Sequence, residues 1–147
     1  MSAFEEITLK FIVNSTDYSV PLGMRISLDN NIIYENTHVS ASAEIQHQLL
    51  DNDGKHELTF ELFGKQPEYT KIDDDGNIVS DAMLSVSGIE IDGIDLDQIF
   101  QSLAVYHHDF NGTQPPQQDR FYGHIGCNGT VQLKFTTPVY LWLLENM

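Results

Sequence analysis

Glu44-Ile45-Gln46-His47-Gln48-Leu49-Leu50-Asp51-Asn52-Asp53-Gly54-Lys55-His56-Glu57-Leu58-Thr59-Phe60-Glu61-Leu62 decides the fold class. In its first half Ile45 is opposed to Gln46 and Gln48. In its second half Leu58, Phe60 and Leu62 alternate with Glu57, Thr59 and Glu61. A period of two sends one set to the covered face of a sheet and the other to water. Between the halves, Asp51-Asn52-Asp53-Gly54 reads as a hairpin, because Asp-Gly tolerates the positive φ of tight turns. The same alternation extends outward in both directions. Ile7, Leu9 and Phe11 oppose Thr8 and Lys10; Met24, Ile26 and Leu28 oppose Arg25 and Ser27, with Asn30-Asn31 as a turn into Ile32-Ile33-Tyr34. Leu84 and Val86 are followed by Ile89 and Ile91, with Gly88 as a bulge between them. Val131, Leu133 and Phe135 form a last strand that Pro138 ends.

Three stretches depart from simple alternation. Residues 69–79 predict a small surface ribbon around Asp73-Asp74-Asp75-Gly76-Asn77. Leu96, Ile99, Phe100 and Leu103 recur at helical spacing behind Asp95, which predicts one short helix. Residues 110–118, with Asn111-Gly112 and Pro115-Pro116, read as a loop. The expected fold is all-β: a two-sheet antiparallel β-sandwich, jelly-roll-like, with at most one short helix, and residues 1–147 as one domain.

Composition narrows the function classes. At 147 residues, 41% hydrophobic and 20% charged, the chain can bury a core and does not match a disordered composition. Twenty-two acids against 7 bases give a net charge of −15, which excludes nucleic acid and anionic membrane surfaces as expected partners. Calcium, magnesium, a basic protein surface and a neutral carbohydrate remain compatible. Cys127 has no second cysteine to pair with inside the chain. Met1-Ser2-Ala3-Phe4-Glu5-Glu6 lacks the basic flank and apolar core of a signal peptide, and no apolar run reaches transmembrane length. The expectation is a product made in a cytoplasm, able to enter an assembled particle such as a virion later.

From residue 72 to residue 119 there are ten carboxylates and no lysine or arginine. These acids must face water, reach bases elsewhere in the fold, or gather around a cation. Asp73-Asp74-Asp75-Gly76-Asn77 lacks the sixth-position Gly and twelfth-position Glu of a helix-flanked calcium loop; Ile78 and Leu84 stand there. In Asp92-Gly93-Ile94-Asp95-Leu96-Asp97, alternation sends Ile94 and Leu96 inward and places Asp95 and Asp97 on one side. Asp92, Asp95 and Asp97 are therefore the candidate calcium ligands, unless Asp95 caps the helix and is satisfied by backbone donors. Zinc would need His107 or His108 to converge with Asp109, His124 or Cys127. Cys127 has no general base placed beside it, no phosphate-binding glycine loop is present, and no catalytic pair stands out among the acids. The chain is expected not to be an enzyme.

Three segments carry a resemblance: Met24-Arg25-Ile26-Ser27-Leu28-Asp29-Asn30-Asn31, then Asp53-Gly54-Lys55-His56-Glu57-Leu58-Thr59-Phe60-Glu61-Leu62, then residues 81–93 ending in Ile89-Glu90-Ile91-Asp92-Gly93. In this order they resemble small carbohydrate-binding β-sandwich modules, including the calcium-dependent xylan-binding type. The resemblance implies sugar binding by exposed aromatics and, in some members, calcium held by loop carboxylates. A compact acidic chain with an apolar tail also resembles accessory virion proteins of tailed phages, in overall character and without a motif.

Two function classes follow. As an assembly protein the chain would self-associate through edge strands and the apolar segment Tyr140, Leu141, Trp142 and Leu144. As a calcium-dependent carbohydrate-binding module it would use the loop face at residues 92–97, with Tyr106 and Tyr122 stacking on a neutral sugar. The apolar terminus ranks the homo-oligomeric assembly role first.

Overall fold

A computed structural model describes residues 6–52, 54–109, 112 and 114–146. In chain order the strands are β1 (Glu6–Ser15), β2 (Gly23–Leu28), β3 (Asn31–Asn36), β4 (Ala43–Leu50), β5 (Gly54–Phe63), β6 (Thr70–Ile72), β7 (Ile78–Asp81), β8 (Leu84–Ile91) and β9 (Ile94–Asp95). Helix α1 (Asp97–Leu103) follows, then β10 (Val105–His108), β11 (Gln117–Arg120), β12 (His124–Ile125), β13 (Gly129–Thr137) and helix α2 (Val139–Glu145). One sheet runs β12-β8-β1-β4, with β9 folded back on β8. The other runs β11-β10-β13-β5-β2-β3, and β6-β7 form a separate ribbon. Every pairing recorded among the described strands is antiparallel.

The alternating positions meet in the middle. Leu9, Phe11 and Val13 of β1 are buried against Leu58, Phe60 and Leu62 of β5, within one core that draws on both sheets. Phe11 meets Phe60 edge-to-face at 5.2 Å, Phe60 meets Phe100 at 5.5 Å, and Phe100 meets Phe121 at 5.1 Å. This ladder carries α1 into the core through Phe100 and uses the ring geometry that aromatic quadrupoles favour. Gly88, at φ 61°, sits where the β1–β8 register slips between Lys10 and Ile12, as the expected bulge.

Two expectations are corrected. Residues 51–54 do not close a hairpin: β4 pairs with β1 in one sheet, and β5 pairs with β2 and β13 in the other. The segment is a crossover between layers. Local turn chemistry cannot tell the two apart, because both need only a sharp change of direction; Asp53 itself lies outside the described residues. The hairpins that do close with two left-handed residues are Asp29-Asn30, joining β2 to β3, and Asp92-Gly93, joining β8 to β9.

The second correction is the helix count: at most one short helix is expected, and α2 after Pro138 makes two short α-helices among the described residues. Val139, Trp142 and Leu143 are buried at the spacing of one helical face, a pattern that the β-favouring side chains of this segment mask in the sequence. The expected loop at 110–118 includes Phe110, Asn111 and Thr113, outside the described residues; its end is taken into β11. Among the described residues no helix is long and apolar enough to cross a membrane.

Candidate functional site

The acidic window resolves into hydrogen-bonded staples. Asp92 sits at φ 49° in its turn; its Oδ1 accepts from the Thr8 N–H at 2.7 Å, and its own N–H donates to the Thr8 carbonyl at 2.9 Å. Asp97 Oδ1 accepts from the Ile89 N–H at 3.1 Å, and Asp95 Oδ1 from the Asp97 N–H at 2.9 Å, ahead of α1. The three candidate calcium ligands therefore bind three different backbone donors. Among the described residues no group of three His, Cys, Asp or Glu side chains converges to hold an ion. Glu90 reaches Lys10 at 3.1 Å, Asp81 reaches Lys65 at 2.5 Å, and Asp119 reaches His108 at 2.6 Å. The Gln117 amide and the His108 ring hold the Asp119 carboxyl below the usual carboxylate range.

The two candidate sugar-stacking rings are separated by burial. Tyr106 is 8% exposed and belongs to the core, whereas Tyr122 is 67% exposed, with the Arg120 guanidinium 5.2 Å from its ring centroid. Tyr106 spends its hydroxyl on the backbone of Cys127, and burial pushes its phenol well above the usual tyrosine range. Tyr106 and His108 stack at 4.4 Å on one face of β10, and His107 lies on the other, as strand alternation requires. His124 is exposed on β12.

The C-terminal residues divide as a helix divides. Trp142 is 5% exposed and meets Phe135 edge-to-face at 5.9 Å, so it is taken up by the fold. Tyr140, Leu141 and Leu144 are 63%, 57% and 71% exposed on the opposite side of α2. An apolar surface on the β6–β7 ribbon, formed by Ile72, Ile78 and Val79, was not singled out by sequence reasoning. Its only sequence signal is three large apolar side chains in a segment too short to cover them.

Sequence reasoning also missed a relay beside a cleft of about 700 Å³. Asp29 Oδ2 lies 2.7 Å from His56 Nδ1, and His56 Nε2 lies 3.2 Å from Thr137 Oγ1. Asp29 Oδ1 accepts from the Glu57 N–H at 2.8 Å, so this acid staples its turn to β5 much as Asp92 staples its turn to β1. His56, Phe135 and Trp142 line the cleft with Asp29, Lys55 and Lys134. The order carboxylate, imidazole, hydroxyl has the polarity of a nucleophile relay. Its far end is closed, however: Thr137 is buried and its hydroxyl donates to Asn52 Oδ1 at 3.2 Å. The relay binds the β2–β3 turn, β5, the 51–54 crossover and the end of β13 together. Residues 29, 56 and 137 are too far apart in sequence for any local motif to join them.

Lys65 is a further buried polar residue. Its ammonium is fully covered and donates to Asp81 Oδ1 and to the Gly126 carbonyl, while Thr70 donates to the same Asp81 oxygen at 2.7 Å. Compared with protein-family models, with curated proteins and with solved structures, the chain matches none.

Proposed function

We propose that this chain is a non-enzymatic assembly protein that joins copies of itself, or a larger particle, through the exposed face of α2 and through its sheet edges. The observation that carries this reading is Tyr140, Leu141 and Leu144 standing in solvent on a helix anchored from behind by Val139, Trp142 and Leu143. A helix anchored on one face and apolar on the other presents its exposed side chains on a preformed backbone, which lowers the cost of docking. The chain passes back and forth between the two sheets, and this supports a jelly-roll-like winding. Leu141→Glu with Leu144→Glu tests the reading: both positions are exposed, so the circular-dichroism spectrum should hold while the sedimenting mass falls. An unchanged mass overturns the helix as a contact.

A second reading, neutral-carbohydrate binding, is favoured by the cleft itself. There the edges of Phe135 and Trp142 meet the polar groups of Asp29, Asn30, Lys55 and Glu57, a mixture that suits a pyranose better than a purely apolar ligand. Amide shifts on titration with xylo-oligosaccharides, confined to residues 29–30, 55–57 and 134–136, would support it; shifts elsewhere or none would remove it.

A further inference from the structure

Four strands end the two main sheets, and they are not equal. β12 has two residues and β11 has four, with charged Asp119 and Arg120 in its exposed part; β3 pairs with β2 through a register shift at Ile26/Ser27. Short length, charge and irregularity are the devices that keep an edge from recruiting another strand. β4 is neither short nor irregular, with Glu44 its one carboxylate. It runs eight residues from Ala43 to Leu50, holds its register with β1 throughout, and contains no proline, lysine or arginine. No backbone hydrogen bond joins its free side to any other described segment.

Two further observations say what covers it. Ala43, Ile45 and Leu49 pack on the core yet stay half-buried, as do Ile33 and Tyr34 of β3. Helix α1 packs against β8, β13 and β11 and so closes the opposite flank, leaving β3 and β4 at the open one. The charge is also unusual for a chain of −15. Glu44 is the sole acid on β4 and shares Lys10, at 3.6 Å, with Glu90 of β8, so two β4 strands bring together only one partly screened carboxylate each. An acidic partner surface elsewhere on the molecule would be repelled.

We propose that β4 pairs antiparallel with β4 of a second copy about a two-fold axis, joining the β12-β8-β1-β4 sheets into one continuous sheet. An edge strand offers the same donors and acceptors on both copies, as an isologous contact requires. Because side chains alternate, only registers that pair odd with odd positions keep Ile45, His47 and Leu49 on the core side in both copies. This inference rests on the self-association reading and names which edge serves it.

The test uses the full chain in sedimentation, starting from the Leu141→Glu/Leu144→Glu variant, in which the helix contact is removed. That variant should remain a dimer, and adding Ile45→Lys, a charge on the core side of the edge, should weaken dimerisation at least tenfold. Hydrogen exchange of the unsubstituted chain gives a readout independent of how Ile45→Lys folds: the amides of residues 43–50 should gain protection as concentration rises. A helix variant that is already monomeric, or amides 43–50 indifferent to concentration, overturns β4 pairing and leaves the helix reading intact. A monomeric unsubstituted chain overturns both.

Discussion

The Tyr106 hydroxyl donates to the Cys127 carbonyl at 2.5 Å and accepts from the Cys127 N–H at 2.8 Å, so one side chain satisfies both backbone groups of a residue 21 positions away. This bond pair fixes the segment after β12 against β10, where a strand ladder does not reach it. Tyr106→Phe keeps the ring and its packing but strands a backbone donor and an acceptor. The expected cost is about 1–3 kcal/mol for such unsatisfied groups, read from urea unfolding. A loss below the error of that measurement would show that water replaces the hydroxyl.

The same phenol makes an alkaline signature. Its folded pKa lies above the ordinary value of 10.0, chiefly because burial disfavours the phenolate. Unfolded chains release this proton near pH 10 and the folded chain keeps it. The stability it contributes is therefore complete below that pH and is lost as pH rises beyond it. In an absorbance titration at alkaline pH, Tyr106 should ionise only as the fold is lost. Tyr106→Phe should delete that late step, and its persistence in the variant would assign it elsewhere.

Cys127 is half-buried, and burial pushes its thiol up despite the nearby Lys65 ammonium. Because the thiolate is the reactive form, labelling by an aromatic disulfide at neutral pH should be slower in the folded chain than in urea, on the order of tenfold or more. Equal rates would show an accessible, activated thiol and reopen the question of a cysteine-based site.

Lys65 and Asp81 should behave as a buried pair broken from one side. Lys65→Ala leaves Asp81 with the Thr70 hydroxyl and leaves the Gly126 carbonyl without its ammonium donor. The expected loss is about 3 kcal/mol, at the low end for such pairs because the Asp81 side chain is 24% exposed. Lys65→Met with Asp81→Asn should lose less than the sum of the two single changes. Additive losses would show that the two side chains do not interact.

Asp92, Asp95 and Asp97 each hold a backbone donor, so calcium is not needed to relieve their charge. The melting temperature should be the same in EDTA and in millimolar calcium, whereas Asp92→Ala should cost about 1–2 kcal/mol through the lost Thr8 bond. A calcium-dependent rise in melting temperature, abolished by Asp92→Ala, would instead place a cation on the remaining carboxylate oxygens.

The strands and their buried faces were legible in the sequence; their pairing was not. Alternation in residues 7–13, 24–28, 58–62, 84–91 and 131–135 is a local property, and it located the strands and their buried faces directly. Gly88 and the spacing of Leu96, Ile99, Phe100 and Leu103 were legible for the same reason. The helix at residues 139–145 was not legible, because its aromatic and β-branched residues favour strands on average. Packing of Trp142 on Phe135 selected the helical spacing that was also present.

Pairing lay beyond reach of the sequence. Asp51-Asn52-Asp53-Gly54 signals a change of direction, and only the positions of β1, β2 and β13 decide that the chain crosses to the other sheet there. The acids followed the same rule. Their number and clustering were visible, and a cluster with no local cation pointed to calcium. Once folded, Asp29, Asp92 and Asp97 meet the N–H groups of Glu57, Thr8 and Ile89, and Asp81 meets Lys65. A period of two is set by the backbone of one strand and is therefore written along the sequence. The partner of a carboxylate, like the free edge of β4, is set by which strands lie side by side, and that is decided only when the two sheets close on a shared core.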